Sequence, residues 1–251
     1  MEINTVIQGD CLEVMKEIES GTIDMILCDL PYGTTACKWD VIIPFDKLWE
    51  QYKRIIKSNG AIVLFGSEPF SSYLRLSNIK QYKYDWYWHR DRASNHMNAK
   101  KQPMRNIETI SVFNDSQYKP IMEYWGSPSH SVGKAKGKVS KCATTGDFNQ
   151  TTGNTEINIK YPRTLRYFAI PHPRIHPTEK PVALFEYLIK TYTNENELVL
   201  DNCAGSGTTG EACLRTNRNY ILIEKEQKYV DIARERIQQF KNSQTNSLFS
   251  L

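Results

Sequence analysis

Asp29-Leu30-Pro31-Tyr32 follows the apolar run Met25-Ile26-Leu27-Cys28. Asp201 follows a second run, Leu198-Val199-Leu200, and opens the small-residue turn Asn202-Cys203-Ala204-Gly205-Ser206-Gly207. Both carboxylates stand where a strand hands over to a turn, and open α/β sheets bind their ligands at such ends. In the first turn Asp29 supplies one acceptor. Pro31 biases Leu30 toward extended backbone, which gives the Leu30 carbonyl a defined direction. Two acceptors held in this way suit both hydrogens of an exocyclic amine, and Tyr32 offers a face for a planar base to stack on. A conjugated amine is a poor nucleophile. Two aligned acceptors favour a more pyramidal nitrogen with a localised lone pair, so catalysis becomes positioning and electrostatics. A base in a duplex must leave the stack to reach such a pocket.

The second turn reads Gly205-Ser206-Gly207-Thr208-Thr209-Gly210 and is followed by Glu224 after the next apolar run, Tyr220 to Ile223. Glycines let a backbone approach a ligand closely, and an acidic residue about 20 positions on can hold ribose hydroxyls. A nicotinamide dinucleotide is one reading. It would need further strands after Glu224, which the N-terminal half alone could supply. A nucleotide-like ligand without a pyrophosphate, S-adenosylmethionine, is the better expectation. Asp201 would then face the methionine amine, the Gly205–Gly207 turn would give it room, and Glu224 would bind the ribose.

The elements that must position these groups alternate. Thr5–Gln8, Ile23–Cys28 and Ala61–Phe65 read as strands, Leu12–Ile18 and Phe45–Lys57 as helices, with Asn59-Gly60 closing the second. Strand–helix alternation implies βαβ units and a parallel sheet. Tyr82–Trp88 and Thr109–Phe113 read as strands paired at one sheet edge, with Tyr84, Trp86 and Trp88 on a buried face. Pro181–Tyr192, Thr208–Thr216 and Gln227–Phe240 read as helices, and Glu197–Leu200 and Tyr220–Ile223 as strands. The fold class is α/β: a doubly wound, mostly parallel sheet formed by residues 1–113 and 161–240. Residues 114–160, rich in Ser, Thr, Gly, Asn and Lys, read as a long insertion, and 241–251 as a polar tail.

A chain of 251 residues with 40% hydrophobic and 24% charged residues is ordinary for one globular domain with an insertion. The net charge of +4 permits a nucleic-acid partner without demanding one. No apolar run approaches the ~20 residues that span a bilayer, and Met1-Glu2-Ile3-Asn4-Thr5 carries no secretion signal. Cysteines at 11, 28, 37, 142, 203 and 213 form no C-x-x-C pair and no zinc spacing. Cys28 and Cys203 read as small buried hydrophobes. A reduced, cytoplasmic, metal-free protein is the expectation.

Asp29-Leu30-Pro31-Tyr32, His176-Pro177-Thr178-Glu179-Lys180-Pro181 and Asp201-to-Thr209, in that order, resemble the amino-methyltransferases of DNA. Catalytic motif first and cofactor motif last is the order of the circularly permuted β class, many of them adenine-N6 enzymes of bacterial restriction-modification systems and phages. The resemblance covers roughly residues 5–113 and 161–238. It implies S-adenosylmethionine as cofactor and double-stranded DNA as partner. It makes Asp29, Leu30, Pro31 and Tyr32 catalytic, and puts Asp201, Ala204, Gly205, Ser206, Gly207 and Thr208 on the methionine side of the cofactor, with Asp29 beside it. Glu224 becomes the ribose ligand and Asp10 the acidic residue near the cofactor adenine. Thr178 and Lys180 fall near its carboxylate. The family usually has proline where Leu30 stands, and leucine keeps the backbone carbonyl which that position contributes. Aspartate rather than serine at position 29 favours adenine over cytosine-N4.

The same resemblance places target recognition between the two halves, where residues 114–160 lie. Lys134, Lys136 and Lys138 in that insertion, with Arg90, Arg92, Lys100 and Lys101, are the candidates for DNA phosphates. A homodimer and a cognate restriction endonuclease are further partners compatible with this class. Three rivals stand beside the adenine reading: cytosine-N4 methylation on the same scaffold, an inactive DNA-binding module, and a nicotinamide oxidoreductase. Intact Asp29, Tyr32 and Gly205–Gly207 speak against the inactive module.

Overall fold

The computed structural model describes residues 1–35, 37, 39–124, 140–142, 146–148, 159–173 and 179–248. The chain divides into two compact units, residues 1–119 with 164–251, and residues 120–163. The larger unit opens with β1 (Thr5–Gln8), α1 (Cys11–Val14), β2 (Ile23–Cys28), α2 (Phe45–Ile55), β3 (Ile56–Gly66), α3 (Phe70–Ser77), β4 (Tyr82–Ser94) and β5 (Arg105–Phe113). The smaller unit carries two short antiparallel pairs, β6 (Glu123–Tyr124) with β9 (Ile159–Lys160), and β7 (Ser140–Cys142) with β8 (Gly146–Phe148). The larger unit resumes with β10 (Leu165–Tyr167), α4 (Val182–Tyr192), β11 (Leu198–Asp201), α5 (Thr208–Arg215), β12 (Asn219–Glu224) and α6 (Gln227–Leu248).

Eight strands form one sheet in the order β1-β12-β11-β2-β3-β5-β4-β10. The pairings from β1 to β3 are parallel, β5 is antiparallel to both β3 and β4, and β10 is parallel to β4. Alternate residues of β3 serve opposite faces. Ala61, Val63 and Phe65 pack with Leu184, Phe185, Ala212 and Val230 from α4, α5 and α6. Ile62 and Leu64 pack with Leu48, Tyr52, Phe70 and Leu74 from α2 and α3. Helices therefore cover both faces, the arrangement that lets parallel strands be apolar throughout. The winding reverses between β11 and β2, so Asp201 and Asp29 leave the sheet at neighbouring strands, beside the Leu200–Ile26 pair. This is the switch point where doubly wound sheets bind ligands.

The fold class matches the sequence reading, and several boundaries differ. α2 stops at Ile55, and Ile56 passes straight into β3, where it pairs with Ile23. Asn59-Gly60 lies inside β3 rather than ending a helix. A Cβ on Gly60 would fall 2.8 Å from the Asp24 carbonyl oxygen, so glycine permits the close approach at the register shift near Met25. The β4–β5 pair is not the sheet edge, because β10 adds outside β4. The expected helix from Leu12 to Ile18 is a short α1 continued by a 3-10 turn, Met15–Glu17. α6 runs through Leu248 into the region read as a tail, supported by Gln238–Asn242 and Gln239–Glu235 side-chain bonds. Trp86 and Trp88 are buried as expected, their indole N–H groups donating to the Tyr192 hydroxyl (2.6 Å) and the Phe168 carbonyl (2.8 Å).

Candidate active site

A cavity of about 660 Å³ opens at the carboxyl ends of the parallel strands. That size falls within the range of small-molecule sites. Its walls come from the turns after β1 (Asp10), β2 (Asp29–Tyr32), β11 (Asp201–Ser206) and β12 (Glu224–Glu226). Strand direction brings in the antiparallel region too: the end of β4 supplies Arg90 and the start of β5 supplies Glu108.

Asp29 is held by two donors. The Tyr32 hydroxyl donates to Oδ1 (2.5 Å), and the Lys180 ammonium donates to Oδ2 (2.5 Å). The Tyr32 ring lies 5.0 Å from that of Phe70. Burial first, and the Asp29 carboxylate second, push the Tyr32 phenol well above its ordinary range, so it stays a donor. Leu30 is buried in the core beneath α2 and α3, which is where its side chain differs in use from a proline ring. The loop after Tyr32 is closed by Asp40, whose carboxylate accepts from the backbone N–H groups of Gly33 (2.8 Å), Thr34 (2.9 Å) and Thr35 (2.7 Å). Burial would raise that carboxyl, but these bonds and the Thr35 side chain hold it below its usual value.

The second turn is built around two carboxylates. Glu224 accepts the Gly205 N–H at Oε2 (2.8 Å) and the Glu226 N–H at Oε1 (2.9 Å). Asp201 accepts the Cys203 N–H at 3.1 Å and the Thr209 hydroxyl. It lines the cavity but is 3% exposed, turned toward its own turn. Burial pushes its carboxyl up to about 7. Ala204, Gly205, Ser206 and Thr208 line the cavity. Gly207 instead sits against α6: its φ is +79°, and a Cβ there would lie 2.8 Å from the Ala233 Cβ. Its glycine is required by left-handed backbone and helix packing rather than by a place in the cavity wall. Asp10 caps α1 through the Leu12 N–H (3.0 Å) and lines the cavity.

Lys180 is 6% exposed. Besides Asp29 it faces the Glu108 carboxylate at 3.4 Å. Burial alone would lower the ammonium; Asp29 and Glu108 outweigh it and hold the group above its ordinary range. Glu108 continues to Arg90 (3.1 Å). Glu179, next in sequence, pairs with Arg236 of α6 at 2.7 Å. Arg90 also donates to Ser94 and the Arg105 carbonyl, is 13% exposed at its side chain and lines the cavity. Arg92, Lys100 and Lys101 are exposed near the β4–β5 connection. Thr178, Lys134, Lys136 and Lys138 lie outside the described residues. Glu108, Asp40 and Arg236 are groups around the site that sequence reasoning missed, each a lone polar residue with no motif around it; Thr209 lies inside the glycine-rich motif but its bond to Asp201 was not foreseen.

A DNA methylase family model matches residues 23–235, most of the chain. The chain belongs to the DNA methylase family. It is 28% identical to the type II methyltransferase M.HinfI of Haemophilus influenzae, over 95% of this chain and 69% of that one. It is 24% identical to M.HpaI of Haemophilus parainfluenzae, over 92% and 73%. Among solved structures, M1.HpyAVI in complex with SAM superposes with a TM-score of 0.60 at 23% identity, covering 92% of this chain and 98% of that one. The cytosine-N4-specific PvuII methyltransferase does so with a TM-score of 0.64 at 16% identity, covering 94% and 90%. These likenesses show the Rossmann-like methyltransferase fold. The methylase is a site-specific DNA methyltransferase, and S-adenosylmethionine is its methyl donor. Among the described residues no helix is long and apolar enough to cross a membrane.

The raised Asp201 carboxyl gives a pH signature. The folded methylase keeps this proton up to about pH 7, whereas an unfolded aspartate loses it near 4. Stability from this group is full below pH 4 and is lost as pH rises toward 7. Relative to Asp201→Asn, the wild-type Tm should fall between pH 4 and 7 by roughly 5–10 °C and then level off. Parallel melting curves across that interval would contradict it.

Proposed function

We propose that the methylase transfers the methyl group to N6 of a flipped-out adenine within a specific DNA sequence. The observation that carries this reading is the carboxylate at the head of Asp29-Leu30-Pro31-Tyr32, held in place by two donors. When bound, S-adenosylmethionine supplies an electrophilic methyl group on a sulfonium. The residues present fit that cofactor: a cavity of about 660 Å³ with Glu224 and Asp10 at one end for hydroxyls and base, and Asp201 with the Ala204–Ser206 turn for the amino-acid part. Asp29 and the Leu30 carbonyl accept the two hydrogens of the target amine. Their pull localises the nitrogen lone pair and then stabilises the positive charge that develops on nitrogen. The Tyr32 ring, backed by the buried Phe70, offers an apolar face to the base, and Val41 and Ile42, which line the cavity, are 67% and 45% exposed. Desolvation there strengthens the Asp29 contact.

The catalytic assignments, the cofactor assignments other than that of Lys180, the division into 1–113 with 161–240 and 114–160, and a sequence-reading role for the insertion belong to this proposal. So do a homodimer, a cognate endonuclease and a cytoplasmic site of action in a bacterium or phage-infected cell. Cytosine-N4 methylation is the second reading, favoured by the fold likeness to the cytosine-N4-specific enzyme. Expression in a host free of DNA methylation, followed by long-read sequencing that registers modified bases, tests the assignment. One short motif modified at adenine is the expected result. Modification at cytosine, or at adenines without sequence context, would overturn it.

A further inference from the structure

The buried Lys180 has no task in the transfer step as derived. Its ammonium lies 2.5 Å from Asp29 and 3.4 Å from Glu108, and its Nζ also stands 5.4 Å from the Phe65 ring centre. Four charges alternate in a row, Asp29, Lys180, Glu108 and Arg90, drawn from the β2 turn, the segment before α4, β5 and β4. Burying such ions is costly, and breaking one link strands the others, so the row makes a poor device for stability alone. It stands instead at the wall of the cavity, at the carboxylate that receives the amine.

We propose that Lys180 and Glu108 are positioning residues for Asp29: the lysine fixes the plane of the Asp29 carboxylate, and Glu108 holds the lysine there. This rests on the reading that Asp29 accepts the target amine. Tyr32 occupies one lone pair of Oδ1 and Lys180 one of Oδ2. A carboxylate has about four acceptor directions, so two remain, and two donors have already restricted where they point. An incoming amine meets an acceptor that needs no reorientation, which is where most of the rate benefit of preorganisation arises. Glu108 Oε2 makes no hydrogen bond and faces the lysine at ion-pair distance. It gives the ammonium a second counter-charge besides Asp29, and Arg90, which pairs with Glu108 and donates to the Arg105 carbonyl, anchors that end of the row.

A positioning role separates from a cofactor-ligand role by experiment. Lys180→Met should lower the single-turnover methylation rate at saturating cofactor and DNA by about 10- to 100-fold. The dissociation constant for S-adenosylmethionine, read by calorimetry, should stay within about threefold, below half a decade of affinity. Lys180→Arg, which still donates to Asp29, should recover part of the rate. Glu108→Gln should lower the rate with cofactor affinity unchanged, and it carries the test if Lys180→Met fails to fold. Cofactor affinity falling in step with the rate would make Lys180 a cofactor ligand and overturn the proposal. An unchanged rate in folded Lys180→Met or Glu108→Gln would overturn it too. The rate ratio is read whichever base is methylated, so a cytosine product would sink the adenine reading and leave this inference standing.

Discussion

Asp29→Ala should slow methyl transfer by about 100- to 1000-fold at saturating cofactor and DNA, the usual loss when a preorganised charged group is removed. Asp29 accepts from Tyr32 and Lys180 in the resting pocket and, on the mechanism above, from the amine as it becomes positively charged. Alanine deletes that acceptor and leaves the Leu30 carbonyl and Tyr32. It also leaves Lys180 buried with Glu108 as its remaining counter-charge at 3.4 Å, so some loss of stability accompanies it. The turn from Asp201 to Ser206 and Glu224 lies on other strands, so cofactor binding should hold within a few-fold. Single-turnover transfer of labelled methyl, with circular dichroism and cofactor titration on the same preparation, checks all three. Near-normal turnover would remove Asp29 from the chemistry.

Glu224→Ala should weaken S-adenosylmethionine binding by roughly 10- to 150-fold, the loss of a charge-assisted hydrogen bond worth ~1.5–3 kcal/mol. Glu224 serves twice. It is the candidate ribose ligand, and its two oxygens already take the backbone N–H groups of Gly205 and Glu226. Alanine therefore removes a ligand contact and loosens the turn that shapes the methionine end. Glu224→Gln, which retains one acceptor oxygen, should fall between wild type and alanine. Calorimetry giving wild-type affinity in a folded alanine variant would refute the assignment.

The motif residues were legible because their chemistry is local. A carboxylate after an apolar run, a proline that fixes its neighbour, and a Gly-x-Gly turn announce themselves within a few positions. The alternation of strands and helices gave the sheet class for the same reason, since a strand covered on both faces, such as Ala61–Phe65, is written as an unbroken apolar run. What was missed is non-local. Glu108 reaches the site because β5 runs antiparallel to β3 and begins at the cavity edge, which no spacing rule encodes. The charge of Arg90 is plain in the sequence, whereas its partner Glu108 comes from the neighbouring strand β5. Gly207 satisfied the motif, yet its need for glycine comes from Ala233 on a helix later in the chain. The α2–β3 boundary failed because Asn59-Gly60 carries a stop signal in isolation, while pairing with β2 overrides it.

The central claim is that this pocket moves a methyl group from S-adenosylmethionine to the exocyclic amine of adenine in DNA. Its most direct test incubates the purified methylase with genomic DNA and a cofactor carrying a deuterated methyl group, digests the DNA to nucleosides and reads them by mass spectrometry. The expected product is N6-methyldeoxyadenosine bearing the labelled methyl. Labelled N4-methyldeoxycytidine, or labelled cofactor consumed with no label in any nucleoside, would contradict the account.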